Sequence, residues 1–395
     1  MARTVKSKTR TAGNGRGSEL LEYFHRQQEP MLAELRELVM HESPSFNKPA
    51  VDRLGSHLAG KLEWLGGKVT LHRQQEFGDH IQAQFAGRNS GKPILLLGHY
   101  DTVWDVGTLA GMPFKIQDGR VWGPGVFDMK AGILLMMQAI EGLRALRGGL
   151  PRPLTVLLVS DEEVGSNSSR QLTEFLAKKS EAVFVLEPAT GLQGAVKTWR
   201  KGVGEYRVKI TGKAAHAGIA VQEGASAIVE MARQIARIQT FLDLRRGITV
   251  NVGVVRGGTR TNVVAASASA DVDVRVRKMS DAPRLEKKFR SLRPYDRRCK
   301  LEIEGGVNRP PMERSEGVVK LYRLAQRVAR SQGMELEESG TGGGSDDNFT
   351  AALGIPTLDG LGGVGEGAHA HHESILLDQL PRRAALIAGL IEAVE

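Results

Sequence analysis

The sequence contains one cysteine, few aromatic residues and no long apolar run. With Cys299 as the only cysteine in 395 residues, an intrachain disulfide and a thiolate zinc cluster are excluded, so a metal site would need histidine and carboxylate ligands. Aromatic residues make up 5% of the chain, which argues against platforms for stacked bases. Neither end has the ~18 apolar residues of a membrane helix or the apolar core of a signal peptide. We therefore expect a soluble, cytoplasmic protein that binds neither membranes nor nucleic acid.

Acidic residues are absent from the first eighteen positions. The formal net charge of the chain is +9, and +4 of it remains when the five basic residues of this segment are removed, an ordinary value for the length. A basic segment with so few apolar residues cannot bury a core of its own. We predict that residues 1–18 form a disordered basic tail rather than a nucleic-acid-binding arm. Its basic residues are Arg3, Lys6, Lys8, Arg10 and Arg16.

Length and patterning predict an α/β protein of two domains. Helical spacing from about Leu20, repeated in the segment that begins at Val51, predicts two opening helices. Short apolar runs at 93–98, 154–160 and 182–188 have the character of buried parallel strands, and helical stretches separate them. This alternation predicts a largely parallel sheet covered by helices.

The pattern changes after Thr198. An alternating strand is followed by an amphipathic helix, two strands, a helix near 281–292 and a strand at 299–305. The order β-α-β-β-α-β predicts a ferredoxin-like domain at 199–312, inserted into a first domain made of 19–198 and 313–395.

The polar residues that follow the predicted strands are all of metal-ligand types. Because ligands collect at the carboxyl ends of parallel strands, we expect these side chains to meet at one sheet edge. Any one of them, taken alone, also fits a helix cap or a solvated surface. Together they would repel one another without a cation, and two zinc ions would account for the cluster. The candidates are His99, Asp101, Asp128, Asp161, Glu162, Glu163, Glu187, His369, His371 and His372.

Glu162 and Glu163 are adjacent, which permits a division of roles. Neighbouring residues that leave a strand point to opposite sides, so one carboxylate can coordinate a metal while the other accepts a proton from the attacking water.

Several motifs resemble those of the zinc amidohydrolase family that includes aminoacylases, acetylornithine deacetylase and glutamate carboxypeptidases. The closest resemblance is to the bacterial folate-hydrolysing glutamate carboxypeptidases, and it runs from about residue 20 to the C-terminus. The motifs that carry it are GHYDTVW, GPGVFDMKAG, DEEVGS, LEP, ITGKAAHAG, TNVVAASASADVDVR, TGGGSDDNF and GAHAHHE.

The resemblance implies a di-zinc site. His99 and Glu187 would hold one zinc, Glu163 and His369 the other, and Asp128 would bridge both. Asp101 would orient His99, Glu162 would be the catalytic base, and the bond Asp128–Met129 would be cis. His369 fits the family motif best, and His371 and His372 remain alternatives. Co²⁺ or Mn²⁺ could replace Zn²⁺.

The resemblance also gives roles to the inserted domain, which would act as a lid and as a dimerisation domain. His216 would enter the active site of the neighbouring subunit of a homodimer and polarise the substrate carbonyl. Asn262 and Arg275 would hold the substrate carboxylate, with a backbone contact at Gly344. The alternative is that Arg275 binds no substrate and is only an outward-facing residue of an alternating strand.

The expected activity is zinc-dependent hydrolysis of an amide or peptide bond that releases a C-terminal amino acid, as in a glutamate carboxypeptidase. The alternatives are an aminoacylase, a deacetylase or a dipeptidase with the same metals, acting on N-acyl amino acids or small peptides. A third hypothesis, from another functional class, is a binding protein that has this fold and no catalytic activity. The presence of every ligand type and of Glu162 argues against it.

Overall fold

The computed structural model describes residues 13–394. Residues 1–12 of the predicted tail lie outside this range. Residues 13–18 belong to helix α1 (Gly13–Arg26), so the prediction of disorder is wrong for them. The packing of α1 explains the difference, because Leu20 and Phe24 are buried and a Cβ at Gly17 would lie only 2.6 Å from Ser331 Oγ.

The described residues form ten α-helices and sixteen strands. The helices that follow α1 are α2 (Gln28–Met40), α3 (Lys48–Trp64), α4 (Ala131–Arg147), α5 (Arg170–Lys178), α6 (Ala227–Gln239), α7 (Ala282–Arg290), α8 (Glu316–Ser331), α9 (Asp347–Ala352) and α10 (Gln379–Ala393). The strands are β1 (Lys68–His72), β2 (His80–Phe85), β3 (Ile94–His99), β4 (Lys115–Gln117), β5 (Arg120–Trp122), β6 (Leu154–Val159), β7 (Ala182–Val185), β8 (Val196–Arg200), β9 (Gly202–Thr211), β10 (Thr249–Gly257), β11 (Ser267–Val276), β12 (Lys300–Arg309), β13 (Glu338–Thr341), β14 (Thr357–Leu358), β15 (Gly365–Glu366) and β16 (Ser374–Leu376).

Three helices open the chain where the spacing predicted two. The first helix ends at Arg26 and α2 starts at Gln28. Pro30 explains the break, because it has no N–H for the carbonyl of Arg26 and its ring would clash with that carbonyl in a continuous helix. In the first turn of α2 the same proline is tolerated.

The chain divides into two compact units. Unit 1 comprises Met1–Thr198, Arg314–Gly340 and Leu353–Glu395, and unit 2 comprises Trp199–Glu313 and Thr341–Ala352. The segment Thr341–Ala352 had been expected in the first domain.

Buried ion pairs explain why Thr341–Ala352 belongs to unit 2. Arg309 Nη1 lies 3.2 Å from Asp346 Oδ1, and Arg200 Nε lies 3.0 Å from Asp347 Oδ2. All four side chains are buried. Asn348 adds a hydrogen bond from its Nδ2 to the carbonyl of Pro310.

The main sheet of unit 1 has the order β1-β2-β6-β3-β7-β14. Strands β6, β3, β7 and β14 run parallel, while β2 is antiparallel to both of its neighbours. Every residue of β3, β6 and β7 is buried, as continuous apolar runs covered on both faces require. The predicted largely parallel sheet is therefore confirmed, with one reversed strand, β2, next to the edge strand β1.

Unit 2 contains a four-stranded antiparallel sheet of order β10-β11-β9-β12. The chain order of its elements is β9, α6, β10, β11, α7 and β12, which is the predicted β-α-β-β-α-β order. In β11 buried and less buried residues alternate, so one face packs on a core with residues of α6 and α7 while the other stays polar.

Two smaller sheets complete the described chain. Unit 1 has a four-stranded sheet of order β15-β16-β5-β4, and β8 pairs with β13. Over residues 13–394, the structure contains no helix with the length and apolar character that crossing a membrane requires.

Candidate functional site

The predicted ligands of unit 1 meet at the carboxyl ends of three neighbouring strands. His99 is the last residue of β3, the turn Glu162–Val164 follows β6, and Glu187 follows β7 by two residues. Since β6, β3 and β7 are adjacent and parallel, their carboxyl ends lie side by side. The topology of the sheet therefore collects side chains that are far apart in sequence.

His99 is buried and has both ring nitrogens engaged. Its Nδ1 lies 3.0 Å from the backbone oxygen of Asp101. A carbonyl oxygen can only accept, so Nδ1 carries the proton and Nε2 is left to face the site. The Asp101 carboxylate accepts from Ser45 Oγ at 2.7 Å and from the backbone N–H groups of Glu162 and Glu163. Asp101 thus orients His99 through its backbone and fixes the Glu162–Glu163 turn through its side chain.

Asp128 lies between His99 and His369. It precedes α4 in the five-residue turn Val126–Lys130, and its bond to Met129 is cis, as the resemblance implied. Its Oδ1 lies 3.3 Å from His99 Nε2, and its Oδ2 lies 3.4 Å from His369 Nε2. The two oxygens of one carboxylate therefore face different imidazoles, which is the arrangement that a bridging ligand needs.

Two further carboxylates, those of Glu187 and Glu163, each lie near one of these two histidines. His99 Nε2 lies 3.7 Å from Glu187 Oε1, and His369 Nε2 lies 3.1 Å from Glu163 Oε2. Among the described residues, two groups have ligand atoms within 4.8 Å of one another: His99 with Asp128 and Glu163, and His99 with Glu162 and Glu187. Imidazole nitrogens and carboxylate oxygens are a donor set that suits zinc. Glu162 therefore lies near enough to be a ligand as well as a base.

The carboxylates change the titration of both imidazoles. Burial by itself would lower the pKa of His99, but Asp101 and Asp128 raise it well above its usual range. Hydrogen bonds to Asp128 and Glu163 raise the pKa of His369 to about 10. Burial would raise the pKa of Asp128, yet His369 and His99 hold it well below its usual range. The site thus has a strongly negative field, in which a divalent cation competes with the imidazole protons.

Of the three histidines in GAHAHHE, His369 is the one that contacts the cluster. Its backbone has φ 61°, a left-handed conformation that non-glycine residues rarely adopt. His371 packs instead near Trp104, with ring centroids 5.6 Å apart, and His372 is exposed.

Glu373 was given no role from the sequence, although it ends the same motif. It is completely buried, and its carboxylate accepts from the backbone N–H groups of Gly125, Phe127 and Asp128 at 2.8–3.0 Å. Trp104 Nε1 donates to it at 2.7 Å. Glu373 therefore holds the turn that carries Asp128, and it stands four residues after His369.

In unit 2, His216 and Asn262 lie on two adjoining segments. His216 pairs with Val263, and the N–H of Ala217 donates to the carbonyl of Asn262 at 3.0 Å. These segments extend the ladder beyond its last β9–β11 pair, Thr211 with Ser267.

Arg275 stands near the opposite end of β11, where it pairs with Val203. Its guanidinium donates to the carboxylate of Asp273, with Nη2 to Oδ2 at 2.8 Å, and Nη1 lies 3.5 Å from the carbonyl of Gly342. Gly344 follows in the same loop, where a Cβ would lie 2.5 Å from Val203 Cγ2.

Eight residues of strand separate Ser267 from Arg275, which corresponds to roughly 26 Å. The structure therefore brings His216 together with Asn262, and Arg275 together with the Gly344 loop, but separates the two pairs. Within one chain, Asn262 and Arg275 are therefore too far apart to contact the same carboxylate.

Known proteins provide an independent comparison. The protein-family model described as Peptidase family M20/M25/M40 matches residues 95–393 of this chain. Carboxypeptidase G2 of Pseudomonas sp. (strain RS-16) is 31% identical over 373 residues, which cover 92% of this chain and 89% of that protein. Acetylornithine deacetylase of Myxococcus xanthus is 30% identical over 264 residues, covering 62% of this chain and 66% of that protein. Among solved structures, aminopeptidase PepT from Bacillus cereus superposes with a TM-score of 0.78 at 25% identity, covering 93% of this chain and 98% of that one.

Proposed function

Because this chain belongs to peptidase family M20/M25/M40 and is a metallo-hydrolase, we propose that it is a di-zinc carboxypeptidase that hydrolyses an amide or peptide bond and releases a C-terminal amino acid. The observation that carries the proposal is the position of Asp128, whose two oxygens face His99 and His369 separately. That geometry fits two metal ions that share one carboxylate.

The residues divide into two ligand sets. His99 and Glu187 would hold one zinc, Glu163 and His369 the other, and Asp128 both. Zinc bound there supplies Lewis-acid chemistry, which polarises a carbonyl and makes water more acidic. Asp101 keeps the His99 ring in the tautomer that leaves Nε2 free for a metal.

Glu162 is the proposed base. Its backbone N–H is held by Asp101, next to that of the ligand Glu163. Its carboxylate would accept the proton of the attacking water and then deliver it to the departing nitrogen, so that the leaving group departs as a neutral amine.

The residues of unit 2 would bind the substrate. Arg275 would pair with a free carboxylate, for which its planar fork is suited, and the Gly344 backbone would contact the same end of the substrate. Since His216 and Asn262 lie at the other end of the sheet, we propose that these two residues of one chain serve the site of a second chain. His216 would there stabilise the oxyanion that develops on the substrate.

A homodimer is part of this proposal, and the surface of unit 2 supports it. β10 is an edge strand, and its Val254 and Val255 are 40% and 52% exposed. On α6, Ile228 and Val229 are 47% and 52% exposed. An unpaired strand edge with exposed apolar residues favours pairing with a second copy.

The first test separates the base from the ligands. Glu162→Gln keeps the shape of the side chain but cannot accept a proton, so we expect turnover to fall by about 10²–10⁴-fold. We expect this variant to retain two zinc ions per chain by elemental analysis, whereas Glu163→Gln should lose metal.

Loss of zinc from Glu162→Gln would show that Glu162 is a ligand, as its distance from His99 and Glu187 permits. Near-normal turnover in a zinc-loaded Glu162→Gln enzyme would place the base elsewhere. Absence of zinc from wild-type protein grown with zinc would overturn the scheme as a whole.

The second test concerns the substrate, because the relatives include a carboxypeptidase and a deacetylase. A panel of folate-type glutamates, other N-acyl amino acids and dipeptides separates a carboxypeptidase from an aminoacylase, deacetylase or dipeptidase. Arg275→Ala should lower kcat/KM most for substrates with a free α-carboxylate and little for their esters or amides. An equal loss for both groups would make Arg275 a structural residue that only pairs with Asp273.

A further inference from the structure

The net positive charge of the protein is unevenly distributed between the units. Unit 2 holds 23 of the 54 lysines and arginines but only 14 of the 45 acidic residues. A formal charge of +9 therefore lies on unit 2, and unit 1 as a whole is neutral. The basic tail is not the source of this excess, because residues 1–18 are not among those counted for unit 2.

Part of this charge surrounds a cavity of about 440 Å³ in unit 2. The cavity lies where the turn after α6 meets the end of β11, and four of its lining residues are cationic: Arg245, Arg246, Arg277 and Lys278. Asp281 is the one acidic residue in the lining.

Two of the cations are held in place by neighbours. Arg246 donates to the buried carboxylate of Asp281 through Nε at 2.8 Å and Nη2 at 2.5 Å. The guanidinium of Arg277 lies 3.5 Å from the ring centroid of Trp199, a cation–π contact. Gly247 has φ +72°, and a Cβ there would lie 2.8 Å from Arg277 Cβ, so the turn packs closely on β11. The wall of the cavity is therefore ordered.

The other two cations have no acidic partner. Neither Arg245 nor Lys278 forms an ion pair with any carboxylate of residues 13–394, and both side chains are exposed at the cavity. Positive charge continues beside the cavity, since burial and then the charges of Arg275 and Arg277 lower the pKa of Lys201. Like charges that line one cavity repel one another, and an anion bound among them offsets that repulsion.

We propose that this cavity is a binding site for a small anion with at least two negative charges. Phosphate and carboxylate groups share the required chemistry, because their closely spaced oxygens match the two-pronged guanidinium. Arg246 and Arg277 would supply fixed donors, and Arg245 and Lys278 would close on the bound anion. None of the lining residues has a role in the proposed hydrolysis, and the test of the site does not depend on activity.

The experiment is calorimetric titration of the intact protein at physiological ionic strength, with inorganic phosphate and succinate as separate probes. We expect saturable binding of at least one probe. The double variant Arg245→Ala/Lys278→Ala should weaken it about 10-fold or more, as the loss of two charge-assisted contacts implies. These side chains are exposed and make no ion pair, so their removal should not affect folding, which thermal unfolding checks.

The matched control is Arg237→Ala/Lys287→Ala, which removes one arginine and one lysine from exposed positions on α6 and α7. Its affinity for the probe should stay within about twofold of the wild type, because those residues do not line the cavity. Phosphate binding alone or succinate binding alone would identify the preferred group. The proposal is overturned if neither probe binds saturably, or if the two double variants bind equally well.

A second measurement locates the anion. A probe that contacts the Arg277 guanidinium should change the fluorescence of Trp199, and Trp199→Phe should abolish that change. A change that persists in Trp199→Phe would place the anion away from Arg277 and contradict the proposed site.

Discussion

At the scale of single residues, the candidate site depends on how each donor atom is aimed. Asp128 can face both histidines because Glu373 accepts from its backbone N–H and from those of Phe127 and Gly125, which precede it. His99 presents Nε2 because the carbonyl of Asp101 fixes its tautomer. Buried carboxylates that accept several N–H groups are strongly oriented, so the ligands are supported by neighbours that do not themselves face the site.

The histidine motif gives a test at this scale. His369→Ala should reduce the metal content towards one zinc per chain, because His369 Nε2 faces Glu163 and Asp128. His371→Ala and His372→Ala should keep two zinc ions, since neither ring contacts the cluster. Elemental analysis of the three purified variants measures this directly. A one-zinc content in the His371 or His372 variant, with a normal His369 variant, would contradict the assignment.

At the scale of elements, the site is set by how closely a helix approaches the end of a strand. Helix α4 begins just after Asp128, and Leu186 immediately precedes Glu187. A Cβ at Gly132 of α4 would lie 2.0 Å from the carbonyl oxygen of Leu186. Glycine at position 132 therefore fixes the spacing between the segments that carry two proposed ligands.

Gly132→Ala should lower the free energy of unfolding by about 1–3 kcal/mol, because the new methyl group meets backbone that cannot move without shifting β7 or α4. The matched control is Gly60→Ala in α3, where the Cβ would have no neighbour within 4 Å. There we expect a gain of about 0.5–1 kcal/mol, the ordinary advantage of alanine in a helix. Chemical unfolding of both variants checks the difference, and equal effects would show that the close contact has no energetic cost.

At the scale of the whole molecule, unit 2 separates His216 and Asn262 from Arg275 by most of the length of β11. One small substrate cannot span that distance, so it cannot contact both His216 and Arg275 of the same chain. A second copy would resolve the conflict, and the exposed edge of β10 offers a surface for it.

Complementation tests this arrangement. Co-expression of inactive Glu162→Gln chains with inactive His216→Ala chains should restore part of the activity, because a hybrid dimer contains one site with both residues intact. Differently tagged chains allow hybrid dimers to be isolated before assay. Glu162→Gln/His216→Ala chains co-expressed with wild type provide the matched control for subunit mixing. No recovery in verified hybrid dimers would mean that His216 acts within its own chain or has no catalytic role.

The sequence by itself determined the type and order of most elements. Short continuous apolar runs favour strands buried on both faces, and the alternating runs after Thr198 favour half-buried ones, so β3, β6, β7 and the βαββαβ order followed from local pattern. The rule that parallel strands present their carboxyl ends at one edge then indicated which polar residues would meet.

Only the tertiary structure decided the relations between distant segments. It showed which oxygen of Asp128 faces which histidine, joined Thr341–Ala352 to unit 2, and separated Asn262 from Arg275. It also assigned a formal charge of +9 to unit 2, whereas the count along the chain had given +4 for all residues outside the tail. These properties depend on strand register, on buried ion pairs and on which segments pack together, and local periodicity contains none of that information.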